Sequence, residues 1–149
     1  MESLNVKFVF SRGMDKIPEY ATADSAAVDL RAAVDETIIL NPGEKILVPT
    51  GIAIQPERND IVAIVAGRSG MGIKHGITLS NSIGVIDADY RGEICVGLIN
   101  HGSAPFEIER GQRIAQLFFV PVYHAKFIES EALDTTDRGS GGFGSTGTK

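Results

Sequence analysis

The chain carries 28 Ile and Val residues against 8 Leu. Two heavy substituents on Cβ stiffen χ1 and suit a pleated strand better than a helix, so this ratio is the tightest constraint on the fold. The branched residues come in short runs, and 17 glycines punctuate them as turn signals. Asn5 to Phe10 alternates, which predicts a strand with Val6, Phe8 and Phe10 on one face. Thr37 to Leu40, Lys45 to Val48 and Gly51 to Ile54 follow, parted by Asn41-Pro42-Gly43 and Pro49-Thr50. In the first of those turns Pro42 fixes φ and Gly43 accepts a positive φ. Ile61 to Ala66 is a continuous apolar run, the pattern of a strand buried on both faces. Glu93 to Ile99 and Ile114 to Val122 complete the set. Many short strands with regular turns predict an all-β barrel or sandwich. Helix signals are sparse. Ser69 to His75 predicts one short helix, and Asp24 to Ala33 is Ala-rich but has no sustained apolar stripe.

A chain of 149 residues, 43% of them hydrophobic, suits one domain with a real core. Its net charge of -5 argues against a nucleic-acid coat, because binding a phosphate backbone needs a positive field. Cys95 is the single cysteine; it forms no internal disulfide and no thiolate cluster for zinc. Met1 is followed by Glu2 and a mixed polar stretch rather than a basic-then-apolar leader, and no apolar run approaches the ~20 residues of a membrane helix. The expectation is a soluble, cytoplasmic protein with no nucleic-acid or membrane partner. Composition changes near the C-terminus: Asp137 to Lys149 holds five glycines and only Phe143 as a large apolar group. A tail of that kind builds no core. The expected division is therefore a β domain over 1–134 and a glycine-rich tail over 135–149.

Some motif matches fail on their surroundings. Gly67 to Gly72 begins like a phosphate-binding P-loop, but Ile73 stands where the lysine is required. Gly142 to Gly147 fits GxGxxG, yet only Thr148 and Lys149 follow, too few for a dinucleotide fold. His75, His101 and His124 lie far apart with no metal-protease spacing.

Other segments keep a chemical reading beside a bland one. In Gly84-Val85-Ile86-Asp87-Ala88-Asp89-Tyr90-Arg91-Gly92-Glu93, apolar residues lead into two acids and an aromatic. In a strand or hairpin arm, Asp87 and Asp89 would share a face; the plain alternative is a solvated β-turn with Asp89 at its corner. Arg68, Ser69 and Gly70 follow a buried strand and suit a phosphate, or are a surface Arg beside a helix start. Arg138, Phe143, Ser145 and Thr146 suit a flap that lays an aromatic on a flat ring and offers donors to phosphates, or belong to a plain linker. Asp29 sits near a metal-bound phosphate or ends a turn. Gln116, in an apolar strand, satisfies backbone or points into a site.

Together these segments resemble the trimeric dUTPase family. The ordered motifs are Ala26 to Leu30, Gly67 to Gly70, Gly84 to Glu93, Arg110 to Gln116 and Arg138 to Gly147, and they span the chain from about Ala23 to its end. The resemblance implies a jelly-roll-like β-barrel subunit, a homotrimer with active sites shared between subunits, dUTP as substrate and magnesium as cofactor. It also implies roles. Asp87 is the acid that holds the 3′-hydroxyl and orients or deprotonates the attacking water. Tyr90 packs on deoxyribose and leaves no room for a 2′-hydroxyl. Asn81, with the backbone around Gly84, Val85 and Ile86, reads uracil, and Cys95 adds a backbone contact. Arg68, Ser69, Gly70 and Gln116 attend the phosphates, and Asp29 reaches magnesium through water. Phe143 covers uracil, while Arg138, Ser145 and Thr146 hold the terminal phosphate. Two positions depart from the pattern: Gly67 stands where many members have Pro, and Val28 where Gly, Tyr or Leu is common.

The implied reaction is dUTP plus water giving dUMP and pyrophosphate, which would limit uracil incorporation into DNA and supply dUMP for thymidylate synthesis. Phosphoryl transfer needs in-line positioning and charge neutralisation more than covalent help. An ordinary aspartate is ionised at neutral pH and accepts a proton from water. Magnesium keeps most of its waters and binds substrate phosphates, so no protein cage is expected. Two rivals stay open at this point: a dCTP deaminase-like enzyme of the same fold, and a non-catalytic β-trimer that binds nucleotide.

Overall fold

The computed structural model describes residues 3–142. Among them lie β1 (Val6–Phe10), β2 (Val28–Arg31), β3 (Ile38–Leu40), β4 (Lys45–Pro49), β5 (Ile52–Pro56), β6 (Ile61–Ala66), α1 (Ser69–His75), β7 (Ile77–Leu79), β8 (Gly84–Ile86), β9 (Cys95–Asn100), β10 (Phe106–Ile108) and β11 (Arg113–Pro121). The fold is all-β, as the branched residues require. Every paired strand is antiparallel. Four small sheets form, in the orders β1-β5, β10-β3, β2-β11-β6-β8 and β4-β9-β7.

One apolar cluster joins all four sheets, with Leu30, Leu40, Val48, Ile77, Ile94, Leu98, Ile108 and Ile114 at its centre. It also holds a polar clasp. Asn100 is fully buried, and its amide donates to the carbonyls of Leu40 and Ala104, both at 2.9 Å, while its Oδ1 accepts Gly102 N–H at 2.8 Å. A buried amide with its partners in place fixes how β3, β9 and the following loop meet.

The structure modifies one expectation about the strands and bears out another. In β6, Ile61, Ala63 and Val65 are buried while Val62, Ile64 and Ala66 are half-buried, so the second face is only partly covered. In β1, Phe8 and Phe10 share a face as the alternation predicts, their ring centroids 5.2 Å apart, and Phe8 is 39% exposed.

The four-stranded sheet positions the chemistry. Across it, Asp29 on β2 pairs with Gln116 on β11, and Gln116 pairs on its other side with Ala66 on β6. On the far edge, Gly84 pairs with Val65 and Ile86 with Ala63. A Cβ on Gly84 would lie 3.0 Å from Val65 Cβ, so the close approach of β8 to β6 depends on this glycine.

Candidate active site

At the end of β6 the chain leaves the sheet through Gly67 and enters α1. Helix α1 has no side-chain N-cap; Gly76 ends it at φ +72°, where a glycine carries no steric penalty. Arg68 precedes the helix and reaches back over the sheet. Its Nε donates to Asp29 Oδ1 at 2.8 Å, and its Nη1 approaches the Arg113 carbonyl at 3.4 Å. Arg113 Nη1 donates to the other Asp29 oxygen at 3.2 Å. Asp29, with its side chain 17% exposed, therefore holds two guanidinium groups at fixed positions.

A β-bulge explains how Arg113 arrives there. The register between β11 and β2 shifts between Arg113 and Ala115, and the consecutive Ile114 and Ala115 are both buried. The extra residue breaks the two-residue alternation and re-aims Arg113. Since Arg113 pairs with Arg31, Asp29 lies diagonally across from it, within reach of a long side chain. Beside this cluster is an open cleft of about 480 Å³, lined by Arg31, Arg68, Gly70, Lys74, His75 and Arg113 among others. None of its lining residues is a carboxylate. A chain of net charge -5 thus gathers cations at one spot, a field that attracts polyanions. Gln116 is half-buried in the same row, and its amide makes no hydrogen bond with the described residues. Of its two alternatives, satisfying backbone is therefore the one the structure does not realise.

Gly67 is not required there for space. A Cβ on it would meet Thr78 Oγ1 at 3.5 Å and Leu79 Cδ1 at 3.7 Å, which are ordinary contacts. Val28, the other departure, is simply a buried member of the core.

The turn after β7 lies beside the C-terminal end of β6 and presents Asn81, exposed, with Ser82 at φ +67° and Ile83 N–H bonded to the Asn81 carbonyl at 2.8 Å. β8 then runs antiparallel to β6 and carries the chain to the opposite end, where Asp87 follows its last residue. There the chain turns, with Tyr90 N–H donating to the Asp87 carbonyl at 3.1 Å. Of the two readings of Asp87 and Asp89, the solvated turn is the one the structure realises. Strand pairing ends at Ile86, and a solvated turn carries Asp89 at its corner. The Asp87 carboxylate is exposed and makes no hydrogen bond or ion pair with the described residues. Tyr90 is ordered by its tip: Oη donates to the Glu93 carbonyl at 3.0 Å, and the ring folds onto Gly92, where any Cβ would collide with it.

Cys95 opens β9 and is exposed. Burial pushes its thiol pKa up, the Glu93 carboxylate adds to that, and the Arg12 guanidinium opposes it. Arg138 lies in a local turn and donates from Nε to the Gly141 carbonyl at 2.9 Å. Phe143, Ser145 and Thr146 lie outside the described residues.

The structure therefore brings Asp29, Arg68 and Gln116 into one row and gathers Asp87 and Tyr90 elsewhere. Ile86 pairs with Ala63, so Asp87 stands level with Val62. From there to Arg68 the strand advances by about 20 Å at ~3.3 Å per residue. Sequence reasoning left out Arg31, Lys74 and Arg113, although Arg113 sits inside a quoted motif. Its signal was weak because its partner Asp29 is 84 residues away.

The described residues hold no group of three or more His, Cys, Asp or Glu able to seat a metal. A carboxylate has about four lone-pair sites, so Asp29, already accepting from two arginines, fits a hydrated ion met through water and not a directly ligated one. None of the helices among the described residues is long and apolar enough to cross a membrane.

A family model described as dUTPase matches residues 15–147. Among similar curated proteins, the deoxyuridine 5′-triphosphate nucleotidohydrolase of Desulfitobacterium hafniense is 47% identical over 149 residues, covering 99% of each chain. The protein of the same name from Chromobacterium violaceum is 50% identical over 144 residues, covering 97% of this chain and 96% of its own. A solved structure of the Staphylococcus bacteriophage 80alpha dUTPase with dUPNHPP superposes with a TM-score of 0.84 at 26% identity, covering 99% of this chain and all of that one.

Proposed function

The chain belongs to the dUTPase family, and from that premise we propose that it hydrolyses dUTP to dUMP and pyrophosphate by attack of water at the α-phosphate. The observation that carries this reading is the contrast between the two ends of β6. One end offers a fixed cationic cluster, and the other offers an unpartnered carboxylate beside a sugar-sized aromatic.

In this reading Asp87 accepts hydrogen bonds from the 3′-hydroxyl and from the attacking water, and takes that water's proton as it adds to phosphorus. Tyr90, anchored at its hydroxyl, stacks on deoxyribose and fills the space a 2′-hydroxyl would need. Asn81 and the backbone of Gly84, Val85, Ile86 and Cys95 pair with the edge of uracil. A site built to hydrogen-bond one edge rejects cytosine strongly, because a mismatch leaves polar groups unpaired. Arg68, Ser69, Gly70 and Gln116 hold the phosphates and stabilise the charge that develops on pyrophosphate as it leaves. The 135–149 segment acts as a flap: Phe143 covers the base, and Arg138, Ser145 and Thr146 take the terminal phosphate. Magnesium, carried mainly by the triphosphate and met through water by Asp29, supplies further charge neutralisation when bound.

The separation of about 20 Å along β6 supports a homotrimer with shared sites. Arg68 and Asp87 serve one α-phosphate most simply if they come from different copies. Past β11 the chain leaves the sheet with Tyr123, Phe127, Ile128 and Leu133 between 79% and 98% exposed, and a large apolar row facing water is the mark of an interaction surface.

The test is pyrophosphate release from a panel of nucleoside triphosphates with magnesium, together with the mass in solution by sedimentation. dUTP alone should turn over rapidly, and the species should have three times the chain mass of 15.9 kDa. Ammonia release from dCTP, or dUTP binding without pyrophosphate, would overturn the reading.

A further inference from the structure

Glu93 sits directly between the aromatic of the sugar loop and the N-terminal turn, and no role given above uses it. On one side its carbonyl accepts the Tyr90 hydroxyl at 3.0 Å. On the other, Oε1 accepts Gly51 N–H at 2.7 Å, and both oxygens accept from Arg12 Nε, at 3.0 and 2.9 Å. The next residue, Ile94, is 1% exposed in the core, and its N–H donates to the Ile52 carbonyl at 2.9 Å. The return limb of the loop is thus pinned at successive residues, through a core side chain and then a carboxylate.

The turn that supplies Arg12 has a backbone its sequence does not favour. Arg12 adopts φ +53°, a left-handed conformation ordinarily left to glycine. Such strain persists only where the surroundings over-determine it. Here they do. Ser11 N–H donates to the Gly51 carbonyl at 2.8 Å, Met14 N–H to the Ser11 carbonyl at 3.1 Å, and the Arg110 guanidinium to the Arg12 carbonyl. Gly51 is itself at φ +69°, and a Cβ there would meet Ser11 O at 3.0 Å and Ala33 Cβ at 3.1 Å. A glycine at position 12 would hold this turn without strain. The arginine keeps the strain, and its guanidinium spans to Glu93.

We propose that the Arg12–Glu93 clamp is a positioning device for Tyr90. It fixes the carbonyl on which the tyrosine hydroxyl rests, and so holds the ring at the depth that shuts out a ribose 2′-hydroxyl. Neither residue touches substrate; both act through Tyr90. The inference rests on the reading that the chain hydrolyses dUTP with Tyr90 against the sugar.

The experiment compares kcat and KM for dUTP and UTP in the full-length protein and in Arg12→Gly, Arg12→Lys, Glu93→Gln and the Arg12→Gly/Glu93→Gln double variant. Arg12→Gly relieves the left-handed strain, so it keeps the test decisive if Glu93→Gln folds poorly. The expected result is a fall of about tenfold in the dUTP-over-UTP ratio of kcat/KM in Arg12→Gly and Glu93→Gln, the size of one lost charge-assisted hydrogen bond. It should come mainly from a raised KM for dUTP and a lowered KM for UTP. Arg12→Lys should recover part of the ratio, and the double variant should be no worse than the poorer single one, as for partners in one interaction. A wild-type ratio in folded Arg12→Gly, or a double variant equal to the product of the singles, would overturn the clamp. Wild-type protein that releases no pyrophosphate from dUTP would instead overturn the activity itself, so the two failures are distinguishable.

Discussion

The two ends of β6 are built on opposite principles. At its C-terminal end, Asp29, Arg68 and Arg113 form a part-buried ionic cluster whose every charged atom is aimed by strand register, a bulge and a helix start. At the other end, Asp87 has an exposed carboxylate with no partner among the described residues, on a turn held through backbone, the Tyr90 hydroxyl and the Arg91 guanidinium, which donates to the Ala88 and Tyr90 carbonyls. The difference follows from the work each end does. Groups that neutralise phosphate charge act best when prearranged, since nothing then reorganises as charge develops. A group that must take a proton from water works only if no internal cation already occupies it. A carboxylate clamped as Asp29 is would be a poor base, and a cation as free as Asp87 would be a poor phosphate holder.

Removing each carboxylate in turn is the sharpest way to break this comparison. Asp87→Asn should lower kcat by about 10²- to 10⁴-fold, the usual share of a general base, while leaving the melting temperature unchanged, because no internal contact is lost. Pyrophosphate release and thermal unfolding on the same sample check both halves; a near-wild-type kcat would end the assignment of the base. Asp29→Ala should behave in the reverse proportion. It leaves two guanidinium groups facing each other without a counter-charge, and should destabilise the fold by about 1–3 kcal/mol, between the values for exposed and buried pairs. Its kcat/KM for dUTP should fall less than that of Asp87→Asn. An Asp29→Ala protein as stable as wild type would show that the cluster is not held by its carboxylate.

Legibility in the sequence followed the same division. β6 and α1 begin and end where the apolar run and the helix signals put them, and β1, β3, β4, β5, β9 and β11 lie within a few residues of their runs. β2, β7, β8 and β10 were harder, because strands of three or four residues are too short to show a period; β3, equally short, was marked by the Asn41-Pro42-Gly43 turn that follows it. β2 in particular hid in the Ala-rich stretch Asp24 to Ala33, where alternation covers only Val28 to Arg31. The Asp87 and Asp89 spacing fits both a strand face and a turn, and only the pairing, which stops at Ile86, decides for the turn. Tyr90 and Arg68 stand in quotable motifs. Arg12 stands in none and Glu93 only closes one, and their joint meaning lies in a contact across 81 positions that no local pattern reports.

The smallest expected effect lies beside that contact and probes the free end of the comparison without touching its chemistry. The Cys95 thiol is pushed above its ordinary range, first by burial and then by the Glu93 carboxylate, while Arg12 pulls it down. Alkylation proceeds through the thiolate, so at a given pH below the thiol pKa Cys95 should react more slowly than an unhindered thiol, and its rate should rise with pH through a displaced midpoint. The sign then differs between the two clamp residues. Arg12→Gly removes the charge that favours the thiolate and should slow alkylation; Glu93→Gln removes the charge that opposes it and should speed it. Each change should be about two- to threefold, the size of one charge acting through solvent over several ångströms. Rates of iodoacetamide labelling across pH would show it. Equal shifts of the same sign in both variants would mean that removing the clamp loosens the strand and exposes the sulfur, and that the loop's geometry, rather than its charge, had changed.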